Sequence, residues 1–269
     1  MAKLAVIGAG NMGCAIVDGI LAAGILSTGD VVLSRRNAEK LDRYKEIGCT
    51  VTPDAVKAAG AAQYIMIAVK PQMTGELFKD IKEQARGKLV ISIAAGVTID
   101  TIEKSLPGTG VVRVMPNTPL MVGNGVSALC RGTGVSDEDY SFAKSLFSAA
   151  GLAVDCDEEL INPLTALTSS SVAYFARMIG VMTRWAVSNG FDKMPLETVI
   201  ALAAKTCEGS AKLICEKDIS PEALVRAVTS PHGTTEKALA TFDALDFDGT
   251  VEKAMTACLD RANELSRGN

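Results

Sequence analysis

Residues 3–24 read KLAVIGAGNMGCAIVDGILAAG, and the order of residue types in this stretch decides the fold. A short apolar run of strand type, KLAVI, meets the turn Gly8-Ala9-Gly10-Asn11-Met12-Gly13, and a helix-like stretch follows that stops at Gly24. Strand, glycine turn and helix in this order make a dinucleotide-binding signature. The first glycine turns tightly, the second lets backbone approach a pyrophosphate, and the third lets helix and strand pack closely. The start of the helix then offers free N–H groups and a positive dipole end to phosphate. All six residues from Gly8 to Gly13 are candidate cofactor contacts; the alternative is a glycine turn with no ligand. The same stretch also has the outline of a secretory leader, but Asn11 and Asp18 interrupt it, and the turn signature explains it better.

About 20 residues after the glycines, where an NAD site usually places Asp or Glu for the ribose 2′-hydroxyl, a second strand, VVLS at 31–34, runs into SRRN. Ser34, Arg35, Arg36 and Asn37 offer donors and positive charge with no acid to repel a 2′-phosphate. NADPH is therefore the expected coenzyme. A solvated basic turn is the alternative and would leave NADH usable.

Further strands follow at 64–69 (YIMIAV), 88–96 (KLVISIAAG) and 111–119 (VVRVMPNTP), with helical segments between them and a final strand at 152–155 (LAVD). Continuous apolar strands of this type fit a doubly wound, mostly parallel α/β sheet covered on both faces. The loops at their C-terminal ends should gather at the cofactor: Ala68, Val69, Lys70 and Pro71 in AVKPQ, Ala95 and Gly96 in AAGV, and Asn117 in MPNTP. Lys70 and Asn117 either hold ribose or carboxamide groups or only stabilise their loops.

From Ile161 to Asn189 apolar residues recur at helical spacing, and similar stretches cover 195–216, 221–228, 234–242 and 248–266. The predicted organisation is an α/β domain over 1–158 and an all-α domain over 159–269. The first long helix is apolar on more than one face, with Phe175, Met178, Val181, Met182 and Trp185 among its residues, which predicts a partner subunit.

Composition narrows the function. Aromatic residues make up only 4% of the chain, so the core must be aliphatic, and a net charge of −4 gives no broad basic surface for nucleic acid. No run approaches the roughly 18 apolar residues a bilayer span needs. The seven cysteines are scattered without a C-x-x-C pair, and a single histidine, His232, leaves almost no ligands for a structural zinc, so no metal site is expected. Reduced thiols point to the cytoplasm.

With these stretches in view, the chain resembles the pyrroline-5-carboxylate reductase family: IGAGNMG at 7–13, AVKPQ at 68–72, SIAAGV at 92–97, VRVMPNTP at 112–119 and TSPHGTT at 229–235. The resemblance spans the chain, and the set is specific where any one motif is not. It implies a Rossmann-type domain followed by an all-α domain that dimerises by interleaving helices, with assembly beyond the dimer left open. It further implies NAD(P)H-dependent reduction of the C=N bond of 1-pyrroline-5-carboxylate to L-proline. On this resemblance Ser230, Gly233, Thr234 and Thr235 hold the substrate carboxylate and ring, Thr235 donates to or relays a proton at the ring nitrogen, and Ser170 also contacts substrate.

The chain departs from the family in places that cluster. His232 stands where the family's loop has glycine, which argues against His232 as the essential catalyst. The family's S-G-S-G-P-A-Y stretch reads Thr168-Ser169-Ser170-Ser171-Val172-Ala173-Tyr174, and a Glu six residues after the tyrosine is Gly180 here. These changes bear on which cyclic imine is the substrate. A paralogue acting on another imine carboxylate and a catalytically weak dinucleotide-binding regulator are the alternatives. A β-hydroxyacid dehydrogenase, with a similar glycine turn, needs a lysine on the long interdomain helix, and none lies between 161 and 190.

Overall fold

The computed structural model describes residues 1–267. The first apolar run becomes β1 (Ala2–Ile7) and the glycine turn opens α1 (Asn11–Ala22). There follow β2 (Val31–Ser34), α2 (Asp42–Glu46), β3 (Thr50–Thr52), α3 (Ala55–Ala61), β4 (Ala62–Ile67), α4 (Thr74–Ala85), β5 (Leu89–Ser92) and α5 (Ile99–Ser105). Then come β6 (Gly110–Pro116), β7 (Gly125–Arg131), α6 (Asp137–Ser148) and β8 (Gly151–Asp155). Among the described residues these strands form one eight-stranded sheet in the order β3-β2-β1-β4-β5-β6-β7-β8. Every neighbouring pair is parallel except β6 with β7.

The alternation of side chains along β1 explains why the sheet is covered twice. Leu4 and Val6 pack on one face with Ile16 and Ile20 of α1, while Ala5 and Ile7 pack on the other with Ile65, Ile67 and Ile81. All are at most 2% exposed. Each large aliphatic side chain so enclosed contributes about 1.5–3 kcal/mol of transfer free energy, so a polar substitution in β1 strikes both cores. The order 3-2-1-4-5-6 reverses between β1 and β4, and in such sheets the crevice at that reversal, beyond the strands' C-terminal ends, is where ligands bind.

Two strands lie outside the sequence-based expectation. β3 is only Thr50–Thr52, three residues at the sheet's edge, too short for a periodic signal. β7 returns antiparallel to β6 after a one-turn 3-10 segment at Thr118–Val122 that ends on Gly123 with φ 73°. Its sequence, GVSALCR, is small and mixed. What identifies it as a strand is its pairing with both β6 and β8.

Contacts divide the chain into two compact units: Met1–Ser169 joined by the chain from Leu259, and Ser170–Cys258. The second unit holds α8 (Ser171–Ala186), α9 (Leu196–Lys217), α10 (Pro221–Ala227), α11 (Thr234–Ala244) and the first part of α12 (Phe247–Arg267). A short α7 (Ile161–Leu164) and a wider π-type turn at Thr165–Ser170 precede it. The long apolar stretch is thus not one regular helix: it widens before α8, and after it Asn189 and Gly190 leave helical geometry, with Gly190 at φ 101°.

Within this helical unit Val199 is the only buried hydrophobic residue, and Phe175, Trp185, Leu196 and Leu202 are each about half exposed or more. Helices fold by burying an apolar face. A unit that encloses one aliphatic side chain has not done so within a single chain.

Candidate functional site

The three glycines of the turn do three different jobs. Gly8 has φ 83°, and a Cβ on it would lie 2.4 Å from Val69 Cγ1 and 2.8 Å from the Val69 backbone nitrogen. Gly13 lets α1 approach the sheet, since its Cβ would meet Ala68 Cβ at 3.2 Å and Val6 Cγ1 at 3.3 Å. Gly10 is different: only the Gly8 carbonyl oxygen lies within 4 Å of where its Cβ would be, at 3.7 Å. No protein packing requires glycine at position 10. The free space beside that backbone is what a pyrophosphate needs.

The turn is clamped from beneath. Gly8 and Ala9 donate their N–H groups to the Ser34 carbonyl at 2.8 and 3.0 Å, and Gly10 N–H donates to the Gly8 carbonyl at 2.6 Å. The first intrahelical bond runs from Cys14 N–H to the Gly10 carbonyl, so the N–H groups of Asn11, Met12 and Gly13 have no acceptor within the helix. Gly10 brings no capping side chain, and no acidic residue stands in the first turn of α1. The positive end of the helix dipole is left for an anion. These residues fit a dinucleotide's phosphates.

At the end of β2, Ser34 is enclosed at 2% exposure and contributes its carbonyl to the turn. The charge at this corner therefore comes from Arg35, half-buried, and Arg36, exposed. Arg36 faces Glu76 across 3.6 Å, with both side chains more than 70% exposed. Such a pair contributes at most about 1 kcal/mol, so a doubly charged phosphate competes with it readily.

The remaining loops do end at the same edge. Ala68 N–H donates to the Ile7 carbonyl at 2.8 Å and Ile93 N–H to the Ile67 carbonyl at 3.0 Å, which carries the strand register into the loops. Val69 sits against Gly8, Lys70 is exposed with Pro71 starting the next turn, and Ala95 and Gly96 follow β5, with Gly96 at φ 75°. Asn117 is spoken for: buried, it donates from Nδ2 to the Thr168 carbonyl at 2.9 Å and accepts at Oδ1 from Val126 N–H at 2.8 Å. Its amide braces the β6 end against β7 and the π-type turn, which fits the loop-stabilising alternative.

One supporting pair was not foreseen. Arg113, in the middle of β6, is 6% exposed and pairs with Glu158 at 2.7 Å, and the same carboxylate oxygen accepts from Ile99 N–H at the start of α5 at 2.8 Å. A lone arginine in the apolar run VVRVM was the available signal, because a buried guanidinium requires a partner.

In the helical unit, TSPHGTT forms a turn feeding a helix. Gly233 N–H donates to the Ser230 carbonyl at 2.9 Å; Pro231 and His232 are the central residues, and His232 has φ 59°. Proline followed by a positive φ is the type II pattern, in which glycine is the favoured third residue. Histidine here keeps the turn, and its N–H donates to the Glu236 carboxylate. Gly233 caps α11 without a side-chain bond, leaving the N–H groups of Thr234, Thr235 and Glu236 without helical acceptors. Ser230, Thr234 and half-buried Thr235 surround that turn.

The altered stretch begins on the π-type turn, a geometry frequent at functional sites, and runs into the first turn of α8. Ser169 Oγ is buried with no partner. Ser170 Oγ accepts from Cys258 Sγ at 3.2 Å; burial first, and then Cys258, hold the Tyr174 hydroxyl above its ordinary pKa.

Among the described residues no cluster of His, Cys, Asp or Glu could hold a metal ion, and no helix is long and apolar enough to cross a membrane. A family model of pyrroline-5-carboxylate reductase dimerisation matches residues 158–265, and one of NADP oxidoreductases, coenzyme F420-dependent, matches residues 3–96. The chain is 35% identical over 266 residues to the pyrroline-5-carboxylate reductase of Haemophilus influenzae, covering 97% of each. The structure of a pyrroline-5-carboxylate reductase from Coxiella burnetii superimposes with a TM-score of 0.90 at 33% identity over 98% of each chain. That of a Plasmodium falciparum pyrroline carboxylate reductase with NADP bound gives 0.86 at 26%, again over 98% of each. With a glycine turn shaped for a dinucleotide, a type II turn opening onto an uncapped helix, and this similarity along its whole length, the chain belongs to the pyrroline-5-carboxylate reductase family.

Proposed function

We propose that the protein reduces the C=N bond of 1-pyrroline-5-carboxylate to L-proline with NADPH, as a cytoplasmic homodimer. The observation that carries this reading is the Ser230–Gly233 turn, which leaves the first N–H groups of α11 without a side-chain cap. When bound, the reduced nicotinamide supplies the hydride. The chain's residues position and polarise. Backbone N–H groups of the α11 first turn, with the Ser230 and Thr234 hydroxyls, hold the substrate carboxylate, and Thr235 donates to the ring nitrogen. A protonated cyclic imine is already electrophilic, so alignment matters more than a strong base. The end-to-end similarity to pyrroline-5-carboxylate reductases supports the substrate class, and the half-exposed apolar residues of α8 and α9 support a second copy as their cover. The test is oxidation of NADPH by the purified protein with 1-pyrroline-5-carboxylate. Tight NADPH binding without turnover on any cyclic imine would sink the reading in favour of a regulator.

A second reading, a paralogue acting on another cyclic imine carboxylate, is favoured by Ser169 on the π-type turn and by Ser171 and Val172 at the start of α8. Parallel assays with six-membered and sulfur-containing imine carboxylates distinguish it by their kcat/KM.

For coenzyme choice, Arg35→Ala with Arg36→Ala is expected to raise the NADPH Kd at least about tenfold while leaving NADH within about threefold, because charge-assisted bonds to phosphate contribute about 1.5–3 kcal/mol each. Equal losses for both coenzymes would remove the 2′-phosphate assignment. The similarity to a relative solved with NADP bound points the same way. For His232, the positive φ predicts that His232→Gly retains kcat within about threefold and stability unchanged or higher by up to about 1 kcal/mol, since a non-glycine residue in that region bears about 1–2 kcal/mol of strain. A tenfold loss of kcat would instead place the imidazole in the reaction.

A further inference from the structure

The far edge of the sheet carries a pair of side chains that the proposed reduction does not use. Cys130 lies in β7 and Cys156 directly follows β8. Leu129 and Asp155 are partners in the parallel register, Cys156 N–H donates to the Leu129 carbonyl at 2.9 Å, and the two sulfurs stand 3.3 Å apart. Both are free thiols, in contact and not bonded. Neighbouring strands run about 4.8 Å apart, within the Cα separations of about 4.4–6.8 Å that disulfides span. With the sulfurs already in contact, bond formation asks chiefly for side-chain rotation.

The two thiols line a cavity of about 540 Å³, with Arg131, Tyr140, Asp155 and Glu158 among its walls. Their environments differ. Cys130 is 1% exposed, and burial, followed by the neighbouring Cys156 thiol, pushes its pKa up. Cys156 is only half-buried. A thiol reacts as its thiolate, so the accessible partner reacts first and the enclosed one second.

We infer that Cys130 and Cys156 form a modification site, a dithiol that low-molecular-weight disulfides convert to an intramolecular disulfide through the adjoining cavity. Cys156, having lost its proton to solvent, attacks one sulfur of RS–SR; that bond breaks, RS⁻ leaves, and a mixed disulfide forms on Cys156. Cys130 then gives up its proton, attacks Cys156 Sγ and expels the second RS⁻. The two protein thiols are oxidised and RS–SR is reduced to two RSH. The chemistry uses neither coenzyme nor imine, so it stands whether or not the proposed reduction does.

The test treats the full chain with glutathione disulfide, then quenches, denatures, alkylates the remaining free thiols and maps peptides by mass. The expected product is one species about 2 Da lighter before alkylation, the peptides of Cys130 and Cys156 linked, restored to two thiols by dithiothreitol. Cys130→Ser should halt the sequence at the first step and accumulate a glutathione adduct on Cys156. Alkylation of both Cys130 and Cys156 in the treated wild-type chain would overturn the inference, as would a bridge from either one to another cysteine. A glutathione adduct that persists on Cys156 with Cys130 present would also overturn it. The wild-type mapping decides the matter even if the variant fails to fold.

Discussion

Gly10→Ala is expected to leave the protein folded and to weaken NADPH binding about a hundredfold. Gly10 has φ −91° and ψ −159°, a conformation any residue adopts, and its missing Cβ faces open space. Alanine there costs the fold little: it is a poorer helix cap than glycine but restricts the unfolded chain, and these terms offset to within about 1 kcal/mol. The added methyl occupies the approach to the N–H groups of Asn11 to Gly13. Losing one or two charge-assisted hydrogen bonds of about 1.5–3 kcal/mol accounts for the hundredfold. Gly8→Ala provides the contrast. With φ 83° and Val69 at 2.4 Å, it stores about 2 kcal/mol of strain or more, so melting temperature and binding should fall together. Thermal unfolding and NADPH titration on both variants check this. An unchanged Kd in Gly10→Ala would show that phosphate does not lie against that backbone.

The second large effect is expected in the helical unit. A Cβ on Gly233 would lie 2.4 Å from Ser230 Oγ and 2.9 Å from the Ser230 carbonyl oxygen, the same oxygen that accepts the turn's hydrogen bond. The φ of Gly233, −83°, suits alanine, so the obstacle is steric, and the turn must open. Gly233→Ala should lower kcat/KM for the imine by about a hundredfold or more, the range seen when one preorganised donor is lost from a site. NADPH affinity should hold. Because Ser230, Pro231 and His232 are exposed, stability should change by less than about 1 kcal/mol. Thr235→Ala probes the other half of the assignment: kcat should drop by about 10²-fold with little change in KM, the signature of a group that acts in the transition state. Steady-state kinetics with varied imine at saturating NADPH separates the two. Wild-type kcat in Thr235→Ala would remove Thr235 from the reaction.

Much of the dinucleotide half was legible because its determinants are local. β2 is the VVLS run residue for residue, since a strand covered on both faces is a continuous apolar string between turn residues. Gly8 and Gly13 were readable because spacing alone assigns the tight turn and the close helix–strand packing, and the positive φ at position 232 because the turn there is set by its own neighbours. The helical half showed its periodicity, and the surplus apolar surface of α8 showed that one chain would not cover it.

Other features exist only when distant residues meet. GVSALCR became β7 through pairing with β6 on one side and β8 on the other. Asn117 gave its amide to Val126 and Thr168, the second 51 positions away, and Arg113 found Glu158 45 positions on. The thiols of Cys130 and Cys156 share a face only because Leu129 pairs with Asp155. By itself the sequence determined what periodicity and the steric demands of glycine and proline encode within a turn or two of chain. The tertiary structure decided which polar groups were left to bind a ligand and which were consumed in holding the fold, because strand register and packing choose partners that no local pattern names.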